Sequence, residues 1–172
     1  MKTTWITAVL CSMMALLSLR AQEAPDCPCC SQEYRSFDFW IGEWEVTLAN
    51  GSPAGTNRIG SIQDGCVLQE HWKSVRQGVT GTSFTYYNQR LREWEQLWVD
   101  NSGNVLKLRG GPEGNAMVLS SDPFPGPEGS PVINRITWTP MADGSVRQLW
   151  ELLGEGTVVQ VLFDGYYRKK PD

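Results

Sequence analysis

The sequence predicts an all-β fold, either a β-sandwich or a meandering antiparallel barrel. From Trp44 onward, short runs of alternating apolar and polar residues recur, as expected for strands with one buried face. A turn signal of Gly, Asn, Asp or Pro follows each run, for example Asn50-Gly51 and Asp143-Gly144. No long stretch has helical periodicity, so ten short strands at this spacing favour a sandwich or a barrel.

The first residues are typical of a secretory signal. Lys2 gives a positive start, an apolar run covers 5–19, and a small residue, Ala21, stands at a plausible cleavage point. We therefore expect residues 1–21 to be a signal peptide and the protein to be exported, periplasmic or extracellular. The run is shorter than the ~20 residues of a bilayer span, and no second candidate follows. We expect no membrane span after cleavage.

The composition of the remaining chain narrows its partners. Removing 21 residues from 172 leaves 151, and losing Lys2 and Arg20 changes the formal charge from −4 to −6. A mildly acidic chain without basic clusters argues against nucleic acid and anionic membranes as partners. Seven of the eight tryptophans remain after Trp5 is removed, which suggests a large aromatic interior or a stacking surface. The sequence does not indicate the oligomeric state.

Four cysteines survive processing, namely Cys27, Cys29, Cys30 and Cys66. An even number in an oxidising compartment indicates structural disulfides, although the sequence leaves their connectivity open. A bridge from the cluster at 27–30 to Cys66 would tie the N-terminal tail to the domain. A thiolate metal site is the alternative, but Cys29 and Cys30 lack the gap of ordinary zinc knuckles. We predict no metal site.

The elements follow in order along one domain. Residues 22–36 form a polar tail with Cys and Pro, 34–41 includes a short helical turn, and residues 37–170 form a single β domain. Gly and Pro make 122–131 a loop. The predicted strands are Glu43–Ala49, Thr56–Gln63, Cys66–Ser74, Thr80–Asn88, Trp94–Asp100, Val105–Arg109, Ala116–Ser121, Ile133–Thr139, Val146–Leu152 and Val158–Arg168.

Strand alternation places polar residues among aromatic ones on three inner faces. Burying polar groups is costly without hydrogen bonds, so their convergence resembles a small-molecule pocket. Two alternatives remain open: an internal network in which Glu70 pairs with Arg135 or Arg147, or a register error of one residue. The candidate ligand-binding residues are Glu70, Trp72, Trp94, Gln96, Trp98, Gln148 and Trp150.

The segment at 37–46, Phe-Asp-Phe-Trp-Ile-Gly-Glu-Trp-Glu-Val, resembles the opening of a group of uncharacterised exported bacterial proteins with calycin-like domains. Segments at 64–72, 94–100, 143–151 and 163–168 are similar to the same group. The resemblance implies an up-and-down, calycin- or lipocalin-like barrel of about ten strands. It also implies that Trp44, following Gly42, packs across the barrel floor. It implies no reaction, because calycin barrels have unrelated functions.

Several kinds of chemistry find little support. The single histidine, His71, alternates away from the inner face, which argues against haem ligation, a histidine-based hydrolase and a zinc site. Glu70 and Asp100 are the only carboxylates for paired acid–base catalysis, and Asp100 starts a turn. We therefore predict no cofactor and assign no catalytic residue.

Three functional hypotheses remain. The first is a binding protein that holds a small, partly apolar or aromatic ligand in a tryptophan-lined pocket. The second is an enzyme that uses Glu70 as an acid or base on a cyclic or sugar-like substrate. The third is a structural or protein-interaction barrel with a packed interior. A ligand-sized cavity would separate the first two from the third.

Overall fold

The computed structural model describes residues 27–126 and 129–170. The predicted signal peptide, 1–21, lies outside these residues, as does the start of the tail at 22–26. Within the described part, a short helix, α1, spans Gln32–Arg35 and a 3-10 turn spans Asp38–Trp40. These two elements lie at the position of the predicted helical turn. No helix in the described ranges is both long enough and apolar enough to cross a membrane.

The rest of the described chain is β-structure, interrupted by one further 3-10 turn at Gln63–Gly65. The strands are β1 Gly42–Leu48, β2 Pro53–Ile62, β3 Val67–Ser74, β4 Thr80–Asn88, β5 Glu93–Asp100, β6 Val105–Glu113, β7 Ala116–Ser120, β8 Phe124–Pro125, β9 Pro131–Pro140, β10 Val146–Gly154 and β11 Thr157–Lys169.

The strands form a closed antiparallel barrel. Strands β1 to β7 pair in sequence, β9 pairs with both β7 and β10, and β11 pairs with β10 and returns to pair with β1. The short β8 adds to the edge of β9 and leaves ten strands in the closed ring. The up-and-down barrel is thus confirmed, and the sandwich alternative is not.

Three predicted boundaries were wrong, including the start of β2, which begins at Pro53 rather than at Thr56. Strand β6 does not end at Arg109, because Gly110–Glu113 continue the ladder against β7 as far as Ala116. Gly and Pro at these positions favour a turn, but pairing with β7 outweighs these local preferences. The predicted loop at 122–131 also contains the two-residue β8. Strand pairing with β9 explains that exception.

One end of the barrel is plugged by aromatic side chains from the segment before β1. Phe37 stacks on Trp40 with ring centroids 5.1 Å apart, and it meets Trp94 and Trp138 edge-on at 5.7 and 5.2 Å. All four side chains are buried. We call these four residues and Trp44 the floor. Aromatic packing of this kind supplies much of the buried apolar area of a small barrel.

Trp44 completes the floor from the start of β1. Its indole N–H donates to the backbone oxygen of Trp40 at 3.0 Å, and the ring is fully buried. The same ring lies so close to Gly42 that a Cβ there would sit 3.3 Å from it. Gly42 also has a φ of +152°, which disfavours other residues. Trp44 therefore lies where the Gly-x-Trp pattern places it.

The N-terminal segment contains two disulfides, one of which holds it to this end of the barrel. Cys29 is bonded to Cys66, with Cα atoms 5.1 Å apart, and Cys27 is bonded to Cys30 at 5.4 Å. Cys66 immediately precedes β3, so the first bond joins the tail to the barrel wall. The predicted bridge to Cys66 is confirmed, and the connectivity that the sequence left open is now defined.

Candidate functional site

The barrel interior above the floor contains a cavity of about 420 Å³. This volume lies within the range of about 300–1,000 Å³ that is common for small-molecule sites. Its lining comes from β1 to β3, β5, β6 and β9 to β11, together with the β3–β4 connection. The lining residues are Leu48, Pro53, Ala54, Glu70, Trp72, Ser74, Val75, Arg76, Val79, Gln96, Trp98, Leu106, Ile136, Trp138, Gln148, Trp150, Leu162, Phe163 and Tyr167.

Aromatic rings form most of the upper wall. Trp72 on β3 meets Phe163 on β11 edge-on, with ring centroids 6.1 Å apart. Trp150 on β10 is held from β9, because its indole N–H donates to Asn134 Oδ1 at 2.8 Å. Trp98 on β5 and these three rings are only partly buried, which leaves part of each ring open to the cavity. They provide flat apolar surfaces on which a ring could stack.

Glycines on the inner strand faces make room for three of these rings. At each of these glycines a Cβ would overlap the neighbouring ring, so any larger residue would displace it. A glycine in a strand often marks such a close approach. The ring-over-glycine pairs are Trp72 over Gly55, Trp98 over Gly81 and Phe163 over Gly165.

Glu70 lies deeper in the cavity, between neutral partners. Asn57 Nδ2 donates to its Oε1 at 2.6 Å, and Ser83 Oγ donates to its Oε2 at 2.7 Å. The residue is only 5% exposed. Burial raises the pKa of Glu70 to about 7, although the two hydrogen bonds partly oppose this change. At neutral pH the carboxyl group is therefore close to its titration midpoint.

Two carboxamides and a phenol extend the polar region. Gln96 donates from Nε2 to Thr85 Oγ1 at 2.9 Å, while Tyr167 donates its hydroxyl to Gln148 Oε1. Among the described residues, no group bonds to Gln96 Oε1 or to Gln148 Nε2. Burial raises the pKa of Tyr167 well above its ordinary value, and the negative charge of Glu70 adds to this increase. The cavity thus offers both an unused acceptor and an unused donor.

The alternative in which Glu70 pairs with Arg135 or Arg147 is not observed. Arg135 instead pairs with Glu151 at 2.8 Å, and Arg147 pairs with Asp164 at 2.8 Å. Both arginines alternate with inward residues of their strands, so their side chains lie on the outer face. An internal hydrogen-bond network does exist, but its members are neutral residues from neighbouring strands. It accompanies the cavity rather than replacing it.

Six of the seven candidate residues line this cavity: Glu70, Trp72, Gln96, Trp98, Gln148 and Trp150. The seventh, Trp94, belongs to the floor, where it is 2% exposed and its indole N–H donates to Ser36 Oγ at 3.0 Å. Because β5 begins at the plugged end, its first inward residue lies below the cavity. The alternative register, with these polar residues in solvent, is not observed.

Two further residues considered from the sequence lie outside the cavity. His71 is exposed on the outer face of β3, as alternation predicted. Asp100 caps a turn, since its Oδ1 accepts from the backbone N–H groups of Ser102 and Asn104 at 2.8 and 3.0 Å. The side-chain hydrogen bond from Asn104 lowers the pKa of Asp100 most. Asp100 is therefore a turn residue rather than a partner of Glu70.

Sequence reasoning missed several site residues. Phe163 and Tyr167 lie on the inner face of β11, but the adjacent Tyr166 and Tyr167 made the inward face ambiguous. A glycine within a strand often marks the close approach of another group, so Gly165 indicates the inward face. Alternation from Gly165 then places Phe163 and Tyr167 on that face. Asn57 and Ser83 reach Glu70 only because of the registers of β2 and β4 against β3. Nothing in the sequence around a short polar residue indicates such a register.

Comparison with known proteins assigns no family. No family model matches the chain, and a search of curated proteins finds no matching relative. Within residues 27–126 and 129–170, no group of three or more His, Cys, Asp or Glu side chains could hold a metal ion. The function must therefore be argued from the cavity itself.

Proposed function

We propose that this protein is exported and binds a small, partly apolar or aromatic molecule in the tryptophan-lined cavity. The observation that carries the proposal is the combination of open aromatic walls with a few polar groups at one depth. In such sites, burial of apolar surface provides affinity and the polar groups set orientation. Here Trp72, Trp98 and Trp150 would contact the ring, while Glu70 and Gln96 would meet its polar end.

The free-energy cost of burying Glu70 supports this proposal. Burying a carboxyl group costs free energy, as its raised pKa indicates, and an apolar residue would pack a purely structural interior better. The three ring-over-glycine pairs likewise keep aromatic rings against the wall and leave the centre open. Both features are expected of a site that binds a ligand.

The two disulfides support export. Structural disulfides persist mainly in oxidising compartments, and here Cys29–Cys66 anchors the segment that plugs the barrel. This agrees with the signal-like features of residues 1–21. Export would place the cavity in contact with molecules outside the cytoplasm.

The other two hypotheses fit less well. A solidly packed barrel is inconsistent with a cavity of about 420 Å³. An enzyme could use Glu70 as an acid or base, since a pKa of about 7 suits that role. However, the described lining contains no second carboxylate for a paired mechanism.

Isothermal titration with 3-ethylindole, a neutral aromatic probe, tests the proposal. We expect one site per chain, and about tenfold weaker binding by the Trp98→Ala variant because a stacking surface is lost. Urea denaturation of the variant would verify that it is folded. Failure of the folded wild-type protein to bind the probe would contradict the proposal.

A further inference from the structure

We propose that the ligand carries an organic ammonium group on its aromatic body and places that group beside Glu70. This inference rests on the proposed function and adds the chemical class of the ligand. It follows from the charge, the hydrogen-bonding capacity and the aromatic surfaces of the cavity.

The charge distribution of the cavity favours a cation. Among the described residues of the lining, Glu70 is the only acidic one, and its two hydrogen-bond partners, Asn57 and Ser83, are neutral. The other charged lining residue is Arg76, an exposed residue of the β3–β4 connection, away from the deep end. The carboxylate therefore has no protein counter-ion, and a buried charge is stabilised strongly by a paired one.

The unused hydrogen-bonding capacity matches the same group. A primary ammonium has three N–H donors and no acceptor. Each Glu70 oxygen accepts one hydrogen bond and has a further lone pair, and Gln96 Oε1 accepts none from the described residues. An ammonium between Glu70 and Gln96 would therefore find acceptors for its protons.

The aromatic walls add to the preference. Trp72, Trp98 and Trp150 line the same cavity as Glu70, and indole faces attract cations through their quadrupole. A negatively charged ligand would instead meet the ionised Glu70 at the deep end, where like charges repel. Apart from Glu70 and Arg76, the only titratable group in the described lining is Tyr167, which burial keeps neutral.

Three probes with the same ring test the inference: tryptamine, neutral 3-ethylindole and anionic indole-3-propionate. At pH 8 we expect tryptamine to bind at least tenfold more tightly than 3-ethylindole, and indole-3-propionate to bind most weakly. In Glu70→Gln the affinity advantage of tryptamine over 3-ethylindole should disappear.

A second measurement needs no variant. Titrating the wild-type protein with tryptamine at pH 7 in buffers of different ionisation enthalpy counts the protons exchanged. Because the pKa of Glu70 is about 7, we expect release of about half a proton per tryptamine bound and none for 3-ethylindole.

The outcomes separate the two proposals. Equal affinity for tryptamine and 3-ethylindole, or tighter binding of indole-3-propionate, would overturn the ammonium inference and leave the binding function intact. Proton uptake on tryptamine binding would also overturn the inference, because an ammonium beside Glu70 favours its ionised form. If the folded wild-type protein binds none of the three probes, the proposed function itself fails.

Discussion

The indole ring of Trp98 occupies the space that a side chain at Gly81 would fill on the neighbouring strand. Gly81 pairs with Asp100 and Trp72, so Trp98 leans diagonally along the inner wall to reach it. The contact links strand sequence to cavity shape, because the absence of a Cβ at residue 81 lets the ring lie flat. The rings at Gly55 and Gly165 are placed in the same way.

Gly81→Ala should therefore destabilise the barrel and change the cavity. The added methyl overlaps Trp98, and overpacking of this kind costs about 1–3 kcal/mol in unfolding free energy. Urea denaturation measures the loss. Gly60→Ala is the matched control, because nothing lies within 4 Å of its added Cβ. Its effect should stay within about 0.5 kcal/mol. Equal effects of the two substitutions would show that Trp98 does not depend on Gly81.

The stability of the protein should fall as pH rises through the titration of Glu70. Burial raises the pKa of this carboxyl from 4.5 to about 7, so the native state holds its proton more tightly than the unfolded chain. The contribution of this proton to the free energy of unfolding is full below pH 4.5 and is lost by the time pH exceeds about 7.

Comparing wild type with Glu70→Gln isolates this contribution. Between pH 5 and pH 8 the unfolding free energy of wild type should drop by about 2 kcal/mol more than that of the variant. Chemical denaturation at the two pH values provides both numbers. Parallel pH profiles for the two proteins would mean that Glu70 titrates normally in the native state.

The two disulfides should differ in their contribution to stability. Cys29–Cys66 spans a sequence separation of 37 and Cys27–Cys30 a separation of 3. The loop-entropy relation predicts a loss of about 4 kcal/mol for Cys29→Ser/Cys66→Ser and about 2 kcal/mol for Cys27→Ser/Cys30→Ser. Denaturation without reductant measures both losses. A larger loss from the second double variant would contradict the assigned anchoring role of Cys66.

Trp94→Phe should weaken the floor without weakening ligand binding. The substitution removes the hydrogen bond to Ser36 Oγ and part of the contact with Phe37, at a cost of about 1–2 kcal/mol. Because Trp94 does not line the cavity, the affinity of the variant for 3-ethylindole should remain within about twofold of that of wild type. A loss of affinity for 3-ethylindole as large as that of Trp98→Ala would place Trp94 in the binding site.

The sequence predicted the fold and much of the cavity because strand alternation and turn residues are local signals. Alternation correctly directed Glu70, Gln96 and Gln148 inward with their neighbouring tryptophans. It identifies the face of a strand but not the height of a residue along the barrel. For that reason it could not separate Trp94 of the floor from Trp98 of the cavity.

Partners on other strands could not be predicted. Asn57 and Ser83 reach Glu70 only through the registers of β2 and β4 against β3, which depend on the whole barrel. An arginine partner for Glu70 was one of the open alternatives. The structure instead gives the carboxyl group two neutral partners and a raised pKa.

The most direct test of the binding proposal is a ¹H–¹⁵N spectrum of the tryptophan indole N–H groups during titration with 3-ethylindole. Single Trp→Phe variants assign the peaks, and each tryptophan reports on its own part of the barrel. The proposal predicts the largest shifts at Trp72, Trp98 and Trp150, with Trp40 and Trp94 nearly unchanged. Shifts confined to Trp40, Trp44 and Trp94, or no shifts at saturating probe, would contradict a ligand site in the cavity.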